Sequence, residues 1–504
     1  MARITLRPQT NRLSLVSLCK TGQTGGGGGG GGGGATATTS WIQMAVDPTL
    51  GTSPPAGTVV RNQMEYDALG YDLLYAQDAL DILPTTLRHG IVVTLRAGTH
   101  VGKPGRTGVT GYDPWLFTPN FQVDSAEAYW ESPGDGRALG IYFEGEGTTN
   151  IGGPIAGSWN GYNFTRSAGT WTVDAESGRL LLVTSGYTAG SIYPIYGNDA
   201  AKLDMYMAIS SPQAMTVQIY TPTTVVNPGD YQSLVVQADS YYTIRPAGFE
   251  LKFKNLFFDN ASDELSWYGR VTIESCMLNI WGLFLRYTAL ATPTQHSSVL
   301  SPIFQSALRL HPAGGGGLRI AGGGVSLYQV TIRGECQGED GSGSLITLMS
   351  DDWSLLGDMR IGPLYEAVPS ISGALIFIER GNAQAGTFTV IEGNGLTTGI
   401  VVRGTGGLYA YDDTVTGWVL RNHSVGVRVA SHNAIHASGF RTQCSGNAVG
   451  WQIDKGARVV SFDPQNVGAT TAIVIDGQAE TYASLAAPGD SVIGPYGSEL
   501  LRRA

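Results

Sequence analysis

The amino-acid sequence predicts an all-β protein whose larger part is a solenoid of short stacked strands. Three observations predict it. Charged residues make up 14% of the 504 positions, against about 25% in an ordinary soluble protein, while 71 glycines stand at roughly double the usual share. Long helices need Glu, Lys, Arg and Ala in quantity, so this balance favours strands joined by tight turns. Short apolar segments then recur from about residue 249: Leu251–Phe253, Val271–Ile273, Leu345–Leu348, Leu375–Ile378, Gly399–Val402, Gly417–Leu420, Gly450–Ile453 and Ala472–Ile475. The last five begin 24, 18, 33 and 22 residues apart, scattered about the roughly 20–25 residues of one β-solenoid coil, with insertions on one side accounting for the irregular steps. Asn, Asp and Gly fill the gaps, as turns between coil strands require.

Taken in order, residues 1–24 read as an extended arm. Arg3, Arg7, Arg12 and Lys20 give it four positive charges and it carries no acid. Gly25 to Gly34 is an unbroken run of ten glycines, a linker composition. Residues 35–60, rich in Thr, Pro and Gly, read as an irregular approach. Over 61–83, Leu69, Leu73, Ala76, Leu80 and Leu83 step by four, three, four and three, which predicts one amphipathic helix stopped by Pro84. The β-branched stretch His89 to His100 follows as a strand closed by Gly98.

The order of helix, Ala79-Leu80-Asp81-Ile82-Leu83-Pro84, Val-rich strand and Ala97-Gly98-Thr99-His100 resembles the start of pectate-lyase-like, right-handed parallel β-helices. His100 stands where Tyr is usual in that theme. Phage tail spikes and tail fibres often begin this way. The resemblance implies that the helix caps the open end of the β-helix and that the following strand begins the first coil. It also implies a homotrimer packed along the long sides of the solenoids.

Residues 137–248 have a different texture, with Trp171 to Val183 reading as strand–turn–strand and Leu203–Ile209 and Met215–Tyr220 as further strands. An additional antiparallel β unit is the expectation. The chain therefore divides into a basic anchoring arm (1–24), a Gly-rich linker and irregular approach (25–60), a capping helix with the first coil (61–136), an antiparallel β-rich inserted unit (137–248) and the parallel β-helix (249–504).

β-Helix enzymes that cut polysaccharides use paired carboxyls, one donating a proton to the leaving oxygen and the other activating water or attacking. The acidic candidates are Asp351 with Asp352, Glu335 with Glu339 and Asp340, and Asp412 with Asp413. Each lies in a turn-like stretch, where acids also occur for conformational reasons alone. Trp267, Tyr268, Trp281, Tyr409, Tyr411 and Trp418 are candidates for stacking on sugar rings or for the internal stack of the solenoid. His423, His432 and His436 cluster, but the Val alternation around them predicts strand and loop, so a structural role is expected over a metal. Asp259 to Glu264 lacks a calcium-ligand spacing. The glycines at 314–317 and 322–324 precede no GxxxxGK[ST] pattern and read as tight turns.

Cys19, Cys276, Cys336 and Cys444 are far apart and read as free thiols. No run of 18 apolar residues is present, and Leu13 to Cys19 is too short for a secretory core. A net charge of −10 disfavours general nucleic-acid binding. No metal, cofactor, membrane or nucleic-acid partner is expected. The resemblance and this organisation together give the functional expectation: a structural protein of a bacteriophage tail (spike, fibre or baseplate-associated), assembled in the host cytoplasm without a signal peptide. Residues 1–24 would join it to other virion tail proteins, and its body would contact a bacterial surface polysaccharide. A polysaccharide depolymerase, hydrolase or lyase, on the same scaffold is the alternative.

Overall fold

The computed structural model describes residues 41–106, 114–118, 121–123, 140–151, 153–228, 235–237, 250–261, 264–266, 270–280, 282–286, 301–310, 317–322, 324–334, 343–363, 373–385, 389–410, 417–430, 436–437, 442–455, 457–459, 469–475, 480–481 and 492–493. It is an all-β parallel β-helix with three faces. The first face runs from Trp41–Val46 through Gly90–Leu95, Gly140–Gly145, Glu250–Lys254, Arg270–Glu274, Ser301–Phe304 and Val325–Tyr328. The second is a 10-stranded sheet from Gly98–His100 to Gln443–Ser445. The third continues through Gly317–Gly322, Val425–Ala430, Val449–Ile453 and Thr471–Ile475. The first and third merge into one 20-stranded sheet among the described residues. Ile346–Gly357, Ala374–Ala385 and Thr398–Ala410 join them by running through the corner between.

Each strand alternates, so every second residue points into the solenoid. Parallel pairing then stacks like positions coil upon coil. On the third face Leu318, Ile346, Ile376, Ile400, Val427, Trp451 and Ile473 lie in register, all of them buried. On the second face the stack is Val226, Phe258, Leu278, Leu308, Ile332, Ile361, Ile391, Leu420 and Cys444. Two faces are therefore interleaved in the sequence repeat: Gly417–Leu420 belongs to the second face, and the third-face coil after Gly399–Val402 is Val425–Ala430. At the corner between first and second faces, Asn255, Ser275, Gln305 and Gln329 hold left-handed φ of 44–58°. A non-glycine residue rarely adopts that region. Here each corner N–H is tied to a carbonyl of the next coil, at 3.1–3.3 Å.

The predicted helix over 61–83 is two short helices, α1 (Gln63–Asp67) and α2 (Ala76–Asp81), separated by a turn with Gly70 at φ 72°. Leu73, Ala76, Ala79, Leu80 and Leu83 still pack into the solenoid core, which is why the apolar period is present without a continuous helix. Asp78, fully buried, accepts from the Tyr75 N–H at 3.0 Å, from Ser53 Oγ at 2.9 Å and from Lys103 Nζ at 2.6 Å. The first strand of the first face is Trp41–Val46, ahead of these helices, in the stretch read from sequence as irregular.

The antiparallel unit consists of Thr148–Asn150, Ile155–Arg166, Leu180–Gly186, Ile192–Asn198 and Lys202–Pro222. It interrupts one corner of the solenoid, between Gly140–Gly145 and Thr224–Val226. Its ends meet where the Thr223 N–H donates to the Gly147 carbonyl at 3.0 Å. Lys202–Pro222 is one irregular strand in place of the two expected, with register shifts on either side of Ile209. Its own core centres on Trp159, Phe164, Leu181, Ile195 and Leu203.

Candidate functional site

The sequence-nominated site residues are largely beyond the described part of the chain. Arg3, Arg7, Arg12, Lys20, Glu335, Glu339, Asp340, Asp412, Asp413, Trp267, Tyr268, Trp281, Tyr411 and His432 lie outside the described residues. Asp351 and Asp352 lie in the strand Ile346–Gly357, at the register shift where it turns from the third face to the first. Trp418 is fully buried in the solenoid stack, so it is a rung of the interior and not a sugar platform. His423 is also interior: Thr397 Oγ1 lies 2.9 Å from Nδ1, and the Ile391 carbonyl 3.0 Å from Nε2. Burial pushes its imidazole down to about 4, the property of a structural histidine. The Cys276 and Cys444 thiols, both buried and free, are pushed up to about 12 by burial and are unreactive. Among the described residues no three metal-ligating side chains converge.

What the structure does assemble is a charged seam where the antiparallel unit lies against the outer side of the second face. One end of the contact is apolar: Leu180 and Tyr220 pack on Met277 and Ala307, with Leu182, Ile192 and Phe257 around them. Along the solenoid the contact turns polar. Arg333 and Arg360 follow one another on strands Thr331–Gly334 and Arg360–Pro363. The ring of Tyr196 lies against both guanidinium groups, 4.4 Å from Arg333 and 4.1 Å from Arg360. Arg333 Nη1 also reaches Asp174 Oδ1 at 3.2 Å and Ser177 Oγ at 3.4 Å. Arg360 donates to the Met205 carbonyl at 3.4 Å and pairs with Glu392 at 3.6 Å. Burial raises the Tyr196 hydroxyl above its ordinary value, with the two arginines opposing. Gly362 is required beneath it, because a Cβ there would lie 2.0 Å from the Tyr196 hydroxyl.

At its outer edge the seam opens to solvent. Tyr162, half-buried after the left-handed Gly161, has its ring 5.9 Å from Arg360 and 5.6 Å from Arg421. Glu392 Oε1 accepts from Asn422 Nδ2 at 3.0 Å. Asp358 sits at the corner leading into Arg360–Pro363, pushed up to about 6 by burial with a Tyr328 hydrogen bond opposing. Burial likewise raises the Asp204 carboxyl, opposed by Arg360 and Arg333. Guanidinium groups, a carboxylate and an aromatic ring thus lie side by side at this edge. Asp358 precedes its strand, whereas Glu392 lies near the end of the neighbouring strand Thr389–Glu392. The two carboxyls therefore stand at opposite ends of neighbouring strands and do not form a close pair.

None of these residues carries a sequence signal. Arg333, Arg360 and Arg421 are single charges in apolar strands, and their partners lie more than 150 residues away in the case of Asp174 and Met205.

No protein-family profile and no curated protein matches the chain. Among solved structures it is similar to the tailspike gp61 of Pseudomonas phage phi297, with 11% identity and a TM-score of 0.18 over 78% of this chain and 71% of that one. It is also similar to the Gp54 tailspike of Acinetobacter baumannii bacteriophage AP22, solved with an A. baumannii capsular saccharide. Identity there is 8% and the TM-score 0.18, over 76% of this chain and 72% of that one. At that TM-score neither likeness carries an argument, and the β-helix assignment rests on the strand pairings described above.

Proposed function

We propose that this protein is a structural component of a bacteriophage tail, a spike or fibre, whose solenoid flank contacts a cell-surface glycan at the outer edge of the seam. The observation that carries this reading is the cluster of Tyr162, Arg360, Arg421, Glu392 and Asn422 at the outer edge of the seam, on the strand ladder of the β-helix. Sugars present an apolar ring face and a rim of hydroxyls. An aromatic ring with fixed donors and acceptors beside it matches that pattern. Parallel coils hold these groups in place through the backbone ladder, so little ordering cost falls on binding. In this reading the arm at 1–24 docks on other tail proteins through Arg3, Arg7, Arg12 and Lys20, the ten glycines act as tether, and three chains associate along their solenoids.

The test is an array of purified bacterial capsular and O-chain polysaccharides probed with the full chain. Binding to at least one glycan is expected, weakened at least tenfold by Tyr162→Ala and by Arg421→Gln with melting unchanged. Failure to bind any glycan, or equal binding by both variants, would overturn the reading. Release of new reducing or unsaturated ends from a bound glycan would move the protein to the depolymerase class.

A further inference from the structure

The antiparallel unit carries an open pocket, apart from the seam. It has a volume of about 490 Å³ and is lined by Pro154, Ile155, Arg166, Ser167, Trp171 and Glu176, among others. That is within the roughly 300–1,000 Å³ range of small-ligand clefts. Its lining is partly apolar, from Pro154 and Ile155. It is also partly charged, from Arg166 and Glu176, and both groups are held by neighbouring residues.

The Arg166 guanidinium is built into the short turn that follows its strand. Nε donates to the Ala168 carbonyl at 2.5 Å and Nη1 to the Thr170 carbonyl at 2.9 Å. Its plane lies 4.5 Å from the centroid of Trp171, a ring only 8% exposed. Gly169, at φ 80°, lets the turn close around the group, since a Cβ there would meet Nη2 at 2.8 Å. Nη2 makes no hydrogen bond to any described residue. The Nη1–Nη2 edge thus keeps donors for a ligand while the side chain has already lost its rotamer freedom. Glu176 lines the same cavity and is held at one oxygen by Arg179 Nη1 at 2.8 Å. Ser167 Oγ donates to the Ala156 carbonyl at 2.9 Å and retains acceptor capacity.

We infer that this cavity binds an acidic sugar, a uronate-type unit of a polysaccharide. The ring carboxylate would pair with the Nη edge of Arg166, hydroxyl groups would donate to Glu176 and Ser167, and the apolar ring face would lie on Pro154 and Ile155. A neutral sugar leaves the Arg166 edge without its anion, and a small inorganic anion leaves the apolar wall uncovered. Only a ligand that is both anionic and amphipathic uses every wall. The inference deepens the glycan-contact reading by naming a sugar class, yet it stands on residues separate from the seam.

The experiment titrates the full chain with alginate oligosaccharides, dextran oligosaccharides and inorganic phosphate, followed by calorimetry. Alginate should bind, with dextran and phosphate at least tenfold weaker. Arg166→Gln should abolish alginate binding. Arg166→Lys, which keeps the charge and loses the fork, should weaken it about tenfold. Because Arg166 also supports its own turn, Ala156→Tyr, an exposed position on the cavity wall, serves as a blocking variant that leaves the turn intact. Equal affinity for dextran and alginate, tighter binding of phosphate than alginate, or undiminished alginate binding by Ala156→Tyr would each overturn the assignment. Tyr162→Ala separates the two sites. Alginate binding that survives Tyr162→Ala and fails in Ala156→Tyr belongs to this cavity, and the reverse pattern assigns it to the seam and overturns the inference.

Discussion

The interior of the solenoid and the seam beside it are built from the same strands and obey different rules. Inward positions on the second face, such as Ile332 and Ile361, stack on the like positions of the coils above and below and join one continuous apolar core. Their outward neighbours Arg333 and Arg360 meet a unit that left the chain more than a hundred residues earlier. The stack is apolar and repetitive, so each rung is defined by its register. The seam is charged and unrepeated, so each contact is defined by its partner. A substitution therefore acts on the stack through buried area and on the seam through what is left behind.

The largest expected effect is in the stack. Ile400 is fully buried between Ile376 and Val427. Ile400→Asp removes about 2–3 kcal/mol of apolar burial and strands a carboxyl in a dry interior, at a further cost of several kcal/mol. Insoluble protein, or loss of the β-sheet circular dichroism signal, is the expected result. A soluble variant with the parent's melting profile would show that these rungs do not face inward.

The seam should respond less, and in a way that depends on which partner is removed. Asp174→Ala leaves Arg333 buried beside Tyr196 without its carboxylate, which should cost about 3–5 kcal/mol. The paired change Asp174→Ala with Arg333→Met removes both charges, shares the backbone cost of Ala at the left-handed position 174, and should cost less. The loss should be local: limited proteolysis should cut within 148–222 while the solenoid strands stay protected. Equal destabilisation by the single and double variants would mean that the ion pair contributes nothing beyond packing.

The same contrast decides which features are legible in the sequence. Ile400, Ile473 and their neighbours announce themselves because a period of one coil repeats down the chain. The insertion showed itself only by texture, because Trp159, Phe164 and Trp171 close a private core with no repeat. The period over 61–83 predicts one helix where two short ones form, for a physical reason. Leu73 and Leu80 are buried whether the chain is helical or turning between two short helices, so their period records one-sided burial and not continuity. Trp418 and Leu420 stand among the recurrent apolar segments with no face of their own, because apolar content marks a strand without naming its face. The seam was illegible because Arg360, Tyr196, Tyr162 and Glu392 come from distant elements, and none repeats.

The smallest effect separates the two regions by pH. Burial pushes Asp358, at the seam edge, up from 3.8 to about 6, and pushes His423, inside the corner, down from 6.5 to about 4. Between about pH 4 and 6 the folded chain holds the Asp358 proton that the unfolded chain releases. Its contribution to stability therefore falls as pH rises through that window. His423 acts oppositely: the unfolded chain takes up a proton below pH 6.5 that the folded chain refuses until about pH 4, so its contribution falls as pH drops. The two slopes oppose one another across the same window. Asp358→Asn keeps the size and the acceptor for Tyr328 and removes one slope. It should raise stability at pH 7.5 by on the order of 1–2 kcal/mol, allowing for the group's partial exposure. It should change little at pH 4 and leave the acid-side loss from His423 more visible. Melting temperatures from pH 4 to 8 decide this. An equal shift for Asp358→Asn at pH 4 and pH 7.5 would mean that packing, and not the buried carboxylate, sets the cost at this corner.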